Sequence, residues 1–368
     1  MPTRRDFIKQ SALACACCAT PPLPGAAVPE EPERVEARYY DKLEELKVLC
    51  RLCPRECTVA DRERGYCGVR ENRKGTYFTL VHSKICAKHI DPIEKKPVFH
   101  FFPGSRAFSI ATVGCNIECL FCQNWEISQF RPEQIPSVRF TPSAVAAAAA
   151  RGGCRSIAYT YTEPVIFYEY MYDCAVAGRK KGVKNVMISN GYIKEKPLRD
   201  LLGVLDAVKI DLKAFTDKFY RELCSGRLEP VLNTLKILKE SGIWFEIVLL
   251  IIPFKNDSTE EIKAMCGWIT KNLGENIPIH FTRFHPTYKI KDIPSTPLDT
   301  LESAYETARR AGMKFPYIGN VPGHEGENTH CPGCGKPVVE RTGFLIRENR
   351  IKSGTCPFCS KKIPGIWH

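Results

Sequence analysis

The chain of 368 residues lacks any apolar run long enough to cross a bilayer. A membrane-spanning helix needs about 18 or more consecutive apolar residues. The longest candidate, residues 243–254, is shorter and carries Glu246. Long blocks of Lys or Arg are also missing, so the net charge of +12 indicates a solvated basic surface. We therefore expect no membrane span and no strong nucleic-acid site.

The composition also lacks the signs of a disordered or collagen-like chain. Hydrophobic residues make up 44% and charged residues 26%, as in folded proteins. The length predicts two domains, or one large barrel with appendages. The 19 cysteines are an odd number, which argues against a fully paired disulfide framework. The positions of the cysteines are therefore the informative feature.

Residues 1–35 are expected to be a twin-arginine leader. The segment from Thr3 to Lys9 is similar to a twin-arginine export signal, which is an address read by a receptor. The small-residue stretch that follows is short and contains Cys15, Cys17 and Cys18, which is unusual for such a signal. The alternative is a chance match or a vestigial leader on a cytosolic protein.

Three further regions follow: a Cys-rich module over residues 36–103, an α/β region over 104–320, and a module with two C-x2-C pairs over 321–368. Strands are predicted at 107–113, 156–161, 183–189, 207–212, 244–252, 277–284 and 314–318. Helical patterns alternate with them, which indicates βαβ units around a parallel sheet. We predict a partial (βα)6-type TIM barrel with ligands at the C-terminal strand ends. A doubly wound open sheet is the alternative. His280 is expected inside the barrel.

The central cysteines directly follow the first predicted strand. Cys115, Cys119 and Cys122 have the spacing C-x3-C-x2-C. Three thiolates on one loop suit an iron–sulfur cluster better than tetrahedral zinc, which usually takes four protein ligands. A four-iron cluster held by three cysteines leaves one iron free to bind a small molecule.

The same loop resembles the signature of radical S-adenosylmethionine (SAM) enzymes, with Phe121 before the last cysteine. Other segments extend the likeness: CRLCPREC, RGYCGVREN, HIDPIEKKPVFHFFPGS, CQNWEISQ, AYTYTEPVIF, DLKAF and CPGCGK…CPFCSKKIPGIW. Together they resemble the radical SAM enzyme of the AmmeMemoRadiSam system, a relative of pyruvate formate-lyase activating enzymes. The resemblance implies a [4Fe–4S] cluster on Cys115, Cys119 and Cys122, with SAM on the open iron. Reductive cleavage of SAM would then yield methionine and a 5′-deoxyadenosyl radical that abstracts hydrogen.

The resemblance also implies cofactor-binding residues beside the cluster and at later strand ends. These are Phe121, Thr162, Glu163, Asn190, Asp211, Lys213 and His285. Tyr161 and Thr162 stand where the activating enzymes have Gly-Gly. Simpler interpretations remain open: a helix start at Glu163, a turn at Asn190, a buried ion pair at Asp211 and Lys213, and a structural role for His285.

Two further cysteine groups flank the α/β region. Cys331, Cys334, Cys356 and Cys359 form two C-x2-C pairs, which is a strong zinc-ribbon signal. An auxiliary iron–sulfur cluster is the alternative there. Cys50, Cys53, Cys57 and Cys67 are less regularly spaced, and they are assigned to zinc or an auxiliary cluster, with Cys86 as a substitute ligand. Isolated cysteines are expected to be buried hydrophobes, namely Cys154, Cys174, Cys224 and Cys266.

The sequence predicts a radical SAM enzyme with an unidentified substrate, which could be a protein. Glycyl-radical-enzyme activation is one version of this function, and a non-catalytic zinc- or nucleic-acid-binding protein is the alternative. The expected partners are a low-potential electron donor of the flavodoxin or ferredoxin type and, from the name of the system, Memo-like and AMMECR-type proteins. Cluster reduction and SAM supply favour the cytoplasm, with twin-arginine export as the alternative.

Overall fold

The computed structural model describes residues 34–367. The twin-arginine segment and its three cysteines lie outside the described residues. Within residues 34–367, no helix combines the length and apolarity needed to cross a membrane.

The first part of the described chain forms short strands in small antiparallel sheets. The strands are β1 (Val35–Glu36), β2 (Tyr40–Lys42), β3 (Val48–Cys50), β4 (Thr58–Val59), β5 (Arg70–Arg73), β6 (Thr76–Thr79) and β7 (Lys84–Ile85). One sheet has the order β1-β6-β5 and another the order β2-β3-β4. These strands hold the Cys-rich segment against the main sheet, since Cys50 and Cys53 belong to the central hydrophobic core.

An open eight-stranded sheet forms the centre of the molecule. Its strands and the short β10 are β8 (Ala87–Pro92), β9 (Arg106–Ala111), β10 (Val138–Arg139), β11 (Ser156–Tyr159), β12 (Lys184–Ser189), β13 (Ala207–Asp211), β14 (Trp244–Ile251), β15 (Ile279–Arg283) and β16 (Pro316–Gly319). The order is β16-β15-β14-β13-β12-β11-β9-β8, and β10 pairs with β7 outside this sheet. Strand β8 runs antiparallel to β9, and the remaining pairs are parallel.

Helices connect the parallel strands. They are α1 (Trp125–Ser128), α2 (Pro142–Arg151), α3 (Tyr168–Lys180), α4 (Glu195–Leu202), α5 (Asp217–Cys224), α6 (Leu228–Ser241), α7 (Thr259–Asn272) and α8 (Leu298–Arg310). The side chains of Thr141, Thr216 and Ser258 cap three of them by accepting a backbone N–H three residues on. Such capping satisfies donors that the first helical turn leaves unpaired.

The strand order decides between the two predicted topologies. The parallel strands follow one another in sequence across the sheet, without the reversal that a doubly wound sheet requires. Each predicted strand overlaps an observed one. The curvature of a partial barrel stays a prediction. Strand β8 was not predicted, because its sequence AKHIDP is partly exposed, charged and ends at a proline.

The charged residue inside the apolar run of β14 has a structural explanation. Glu246 is fully buried and accepts the backbone N–H groups of Phe99 and His100 at 3.0 and 2.7 Å. His280 on β15 contacts the same carboxylate at 2.7 Å. A buried carboxylate needs such partners. The interior position predicted for His280 is confirmed.

The C-terminal part forms a small antiparallel sheet. Its strands are β17 (Thr329–His330), β18 (Pro337–Thr342) and β19 (Leu345–Asn349). The buried Arg341 of β18 donates from Nη2 to the carbonyl of Phe99 at 3.0 Å. Cys331 and Cys356 pack in one apolar cluster with Phe315 and Tyr317. The sheet is therefore fixed against the edge of the central sheet.

Candidate functional site

A cavity of about 490 Å³ opens at the C-terminal ends of the parallel strands. Nine of the ten residues predicted for the central cluster and SAM line it. They are Cys115, Cys119, Phe121, Cys122, Thr162, Glu163, Asn190, Asp211 and Lys213. The parallel strands bring these distant positions together, because all their carboxyl ends meet at one edge of the sheet.

The cysteine loop follows β9 and is held against the end of α5. The backbone N–H groups of Glu118 and Leu120 donate to the carbonyls of Cys224 and Leu223 at 3.0 and 2.9 Å. These bonds attach the segment between Cys115 and Cys122 to a second element. The cysteines therefore lie on a supported loop rather than on a free one.

Gly114 sets the path of the chain into this loop. Its φ is +106°, a conformation that favours glycine. A Cβ at this position would lie 2.7 Å from Cγ1 of Val69 and 3.1 Å from the carbonyl oxygen of Cys67. The entry to the loop therefore requires glycine for both its conformation and the close approach of the N-terminal module.

Polar groups surround the loop sulfurs. Nδ2 of Asn190 lies 3.8 Å from Sγ of Cys115, and Oγ of Ser128 lies 3.2 Å from Sγ of Cys122. Burial raises the pKa of both thiols. Neutral buried thiols become thiolates when they bind a metal, because the metal charge outweighs the cost of burial.

Cys224 is a site residue that the sequence did not reveal. It was expected to be a buried hydrophobe, and it is buried. Its thiol also interacts with the thiol of Cys119, and this interaction is the largest cause of the lowered pKa of Cys119. Hydrogen bonds to ligand sulfurs tune metal–thiolate centres. The contact joins residues 105 positions apart, so local spacing gives no signal for it.

Glu163 presents a buried carboxylate to the cavity. It accepts hydrogen bonds from the backbone N–H of Val165 at 3.0 Å, from Oγ of Ser189 at 2.7 Å and from the backbone N–H of Asn190 at 2.8 Å. Burial raises the pKa of Glu163 to about 7, even though these donors oppose the shift. The hydrogen bond from the N–H of Val165 caps the 3-10 turn that follows. Glu163 therefore both caps this turn and lines the cavity.

Tyr161 has a left-handed backbone where the activating enzymes have glycine. Its φ is +66°, which is uncommon for a bulky residue. Its hydroxyl donates to Asp91, and Nδ2 of Asn124 donates to its carbonyl at 2.9 Å. Next to it, Oγ1 of Thr162 donates to the carbonyl of Thr112 at 2.7 Å. These contacts therefore stabilise Tyr161 in the left-handed backbone conformation, which glycine adopts without strain.

A row of charged residues lies at the C-terminal end of β13. Lys209, Asp211 and Lys213 are spaced two residues apart, so they share one face of the strand and its extension. Oδ2 of Asp211 lies 3.6 Å from Nζ of Lys213, and Lys209 contacts the other carboxylate oxygen. Burial would raise the pKa of Asp211, but the two ammonium groups lower it below its ordinary value. Lys209 also lines the cavity and was not predicted.

Asn190 and Phe121 shape the cavity wall. Nδ2 of Asn190 donates to Oδ1 of Asn116 at 2.9 Å, and Oδ1 of Asn190 accepts the backbone N–H of Tyr192 at 2.8 Å. Phe121 is buried and its ring lies 5.8 Å from Nζ of Lys213. Both positions are therefore fixed by packing and hydrogen bonds.

The structure does not place His285 in the cavity. The chain leaves β15 after Arg283, and the exposed His285 ring contacts Oγ of Ser295 at 3.0 Å. Thr282, inside the strand, lines the cavity instead. His285 therefore lies outside the cavity lining, and its predicted cofactor contact stays a prediction.

Comparison with known proteins identifies the family. A family model described as the radical SAM superfamily matches residues 109–269, which include the cysteine loop and strands β11 to β14. A Methanocaldococcus jannaschii protein named "Uncharacterized protein MJ0808" is 47% identical over 330 residues, covering 89% of this chain and 98% of the relative. Residues 109–269 therefore form a radical SAM superfamily domain.

More distant similarities accompany this radical SAM match. The benzylsuccinate synthase activating enzyme of Thauera aromatica is 21% identical over 180 residues, covering 45% of this chain and 54% of the relative. A domain of the pyruvate-formate lyase-activating enzyme from Bacteroides vulgatus has a TM-score of 0.41 and 15% identity, covering 45% of this chain and 99% of that domain.

The radical SAM chain also carries a compact C-terminal cysteine group. The sulfurs of Cys331, Cys334, Cys356 and Cys359 all lie within 4.8 Å of one another. Cys331 and Cys359 are 3.5 Å apart, and Cys334 and Cys356 are 3.8 Å apart. Four sulfurs around a tetrahedral zinc ion lie about 3.8 Å apart, given a Zn–S bond of about 2.3 Å. The group therefore fits one metal ion.

The N-terminal cysteines of the radical SAM chain also come together, but less closely. Burial raises the pKa of Cys50, Cys53 and Cys67, for Cys67 to about 11, and the neighbouring Cys57 contributes to each of these shifts. Among residues 34–367, however, the C-terminal group is the one whose sulfurs meet the 4.8 Å spacing. Cys86 bonds a backbone carbonyl at 3.6 Å rather than joining the group.

Proposed function

We propose that the chain binds a [4Fe–4S] cluster through Cys115, Cys119 and Cys122 and binds SAM in the adjoining cavity. The observation that carries the proposal is the single cavity that contains these three cysteines together with Glu163 and Asp211. When bound, the reduced cluster supplies the electron that cleaves SAM to methionine and a 5′-deoxyadenosyl radical, which abstracts hydrogen from a substrate.

The donor set of the cavity supports this proposal. Three thiols on one loop leave room for a fourth, exogenous ligand on a cluster. The carboxylate of Glu163 complements an ammonium group, and the ammonium group of Lys213 complements a carboxylate, so the two ends of an amino acid have partners of opposite charge. A volume of about 490 Å³ lies in the range of small-molecule sites.

The chain's own residues have defined tasks in this proposal. Glu163 orients the amino group of SAM, and Asp211 and Lys213 orient its ribose and carboxylate. Phe121 and the loop around it separate the cluster from solvent, because Phe121 is buried and packs on Phe219 at 5.7 Å. A fixed, dry cavity keeps a reactive radical away from water and side reactions.

The decisive experiment is anaerobic reconstitution with iron and sulfide, followed by dithionite and SAM. We expect 5′-deoxyadenosine above background, and its loss in the variant Cys119→Ala. Cys266→Ala is the matched control, because Cys266 is an equally buried cysteine on α7 outside the cavity. Equal yields from Cys119→Ala and the unchanged chain would refute the proposal.

For the substrate, we propose a hydrogen atom on a protein. The similarity to an enzyme named as the benzylsuccinate synthase activating enzyme supports glycyl-radical activation as the first version to test. The motif resemblance supports membership of the AmmeMemoRadiSam system, with Memo-like and AMMECR-type proteins as partners and a flavodoxin or ferredoxin as electron donor. Deuterium transfer from labelled candidate partners into 5′-deoxyadenosine distinguishes these versions.

We propose further that the C-terminal cysteines bind zinc and that the protein works in the cytoplasm. The sulfur spacing supports zinc, and the need for reductant and SAM supports the cytoplasm. Metal analysis of the variant Cys356→Ser should show the loss of one zinc. Cell fractionation with an Arg4→Lys and Arg5→Lys control tests the location, and loss of an exported pool in that control would favour export instead.

A further inference from the structure

The N-terminal cysteines are arranged like metal ligands. The backbone N–H of Tyr66 donates to Sγ of Cys57 at 3.4 Å. The backbone N–H groups of Leu52, Arg55 and Val69 act on Cys50, Cys53 and Cys67, where they oppose the rise in pKa that burial causes. Leu52, Arg55 and Val69 each lie two residues after the cysteine on which they act. Gly333 has the same position relative to Cys331 in the C-terminal group, where its N–H donates to the sulfur. Such N–H···S bonds stabilise negative charge on sulfur.

A buried cation beside these sulfurs lacks enough partners. Arg70 is 1% exposed, and its Nη2 donates to Oε2 of Glu169 at 2.5 Å. Its Nε and Nη1 are buried and have no hydrogen-bond partner among residues 34–367. The charge of Arg70 acts on Cys50 and Cys67. Two unpartnered donors beside the thiols of Cys50 and Cys67 indicate that a negatively charged group belongs in this position.

The spacing of the sulfurs distinguishes a cluster from a single ion. The C-terminal sulfurs have the close spacing of a zinc site, whereas the N-terminal group in the described chain does not reach it. A cluster of several irons holds its four cysteine sulfurs farther apart than one ion does. We infer that Cys50, Cys53, Cys57 and Cys67 bind a second iron–sulfur centre, with Arg70 as its buried counter-ion.

The position of this second centre suits electron transfer to the radical site. Nε of Arg55, between Cys53 and Cys57, donates to the carbonyl of Asn116 at 3.0 Å. Asn116 directly follows Cys115, so the two cysteine segments are hydrogen-bonded to each other. This role rests on the proposed function. One electron passes from a flavodoxin- or ferredoxin-type donor through the second centre to the radical cluster, with no proton or atom transferred.

The test uses a chain without the radical cluster. In the triple variant Cys115→Ala, Cys119→Ala and Cys122→Ala, reconstitution with iron and sulfide should retain about one third to one half of the acid-labile sulfide, as expected for a two- or four-iron second centre. Reduction should give an EPR signal. Adding Cys53→Ala should remove both. Zinc without sulfide at this site would overturn the inference, whether or not the wild type cleaves SAM.

Two further measurements test the inference even if the triple variant does not fold. In the chain with an intact radical loop, Cys53→Ala should lower the sulfide content by the same fraction while the C-terminal zinc remains. The pair Arg70→Gln and Glu169→Gln should keep the sulfide and move the midpoint potential of the second centre to a more negative value. The potential should fall because the pair removes one positive and one negative charge, and the positive charge of Arg70 acts on Cys50 more strongly than the negative charge of Glu169. An unchanged sulfide content in Cys53→Ala, or an unchanged potential in the pair, would count against the inference.

Discussion

The backbone N–H of Asn190 donates a 2.8 Å hydrogen bond to Oε2 of Glu163. The bond joins the residue after β12 to the turn after β11 and fixes the direction of the Glu163 carboxylate. Ser189 supplies a second donor to the same group at 2.7 Å. Two neighbouring strand ends therefore support one acidic group in the cavity.

The first prediction concerns the charge of Glu163. Because burial raises its pKa to about 7 from 4.5, the carboxylate becomes charged as the pH rises through about 7. SAM binding, which needs that charge to hold an ammonium group, should strengthen over the same interval. Glu163→Gln should weaken binding roughly ten- to hundredfold above this pH and remove the pH dependence.

Calorimetric titration of the reconstituted, anaerobic protein with SAM at several pH values measures this effect. Glu260→Gln is the control, since Glu260 is exposed in the first turn of α7 and is not among the residues that line the cavity. Retention of the same pH profile by the Glu163→Gln protein would mean that another group controls binding.

A second prediction concerns Asp211 and its two lysines. Asp211→Asn leaves Lys209 and Lys213 without their carboxylate, and we expect a loss of about 1–3 kcal/mol in the free energy of unfolding at neutral pH. The lowered pKa of Asp211 means that its contribution is present above its ordinary pKa of 3.8 and disappears as the pH falls below that value. Urea unfolding at a series of pH values should show this acid dependence in the wild type and not in Asp211→Asn.

A third prediction tests the entry to the cysteine loop. Gly114→Ala places a Cβ 2.7 Å from a side-chain carbon of Val69 and keeps a φ that alanine disfavours. We expect about 1–3 kcal/mol of destabilisation and a lower iron content after reconstitution. Gly267→Ala is the matched control, because Gly267 lies in α7 with open space around it and should gain stability instead. Full iron content in Gly114→Ala would contradict the packing described for the loop.

The fourth prediction concerns the interior of the sheet. Glu246→Ala leaves His280 and two backbone N–H groups without their buried acceptor, so we expect a loss of about 3–5 kcal/mol in stability. The exposed Glu306 on α8 provides a control substitution with little effect. Thermal unfolding of both variants measures the difference, and equal transition temperatures would show that Glu246 is not needed for stability.

The sequence was sufficient for features that depend on local spacing. The three-cysteine loop, the parallel strands and the pairing of Asp211 with Lys213 follow from patterns of two to seven residues. Contacts between distant segments were not predictable: Cys224 reaches Cys119 because α5 packs on the loop, and Lys96 enters the cavity from before β9. The position of His285 outside the cavity lining was not predictable either, because spacing does not show where a chain leaves its strand.

The central claim is that SAM binds the open iron of a cluster held by Cys115, Cys119 and Cys122. The most direct measurement is electron–nuclear double resonance of the reduced protein with SAM labelled at the methionine nitrogen and carboxylate oxygens. The account predicts resolved couplings from both labels to the cluster, retained in Cys266→Ala. Tight SAM binding without any coupling to a reduced cluster would contradict it.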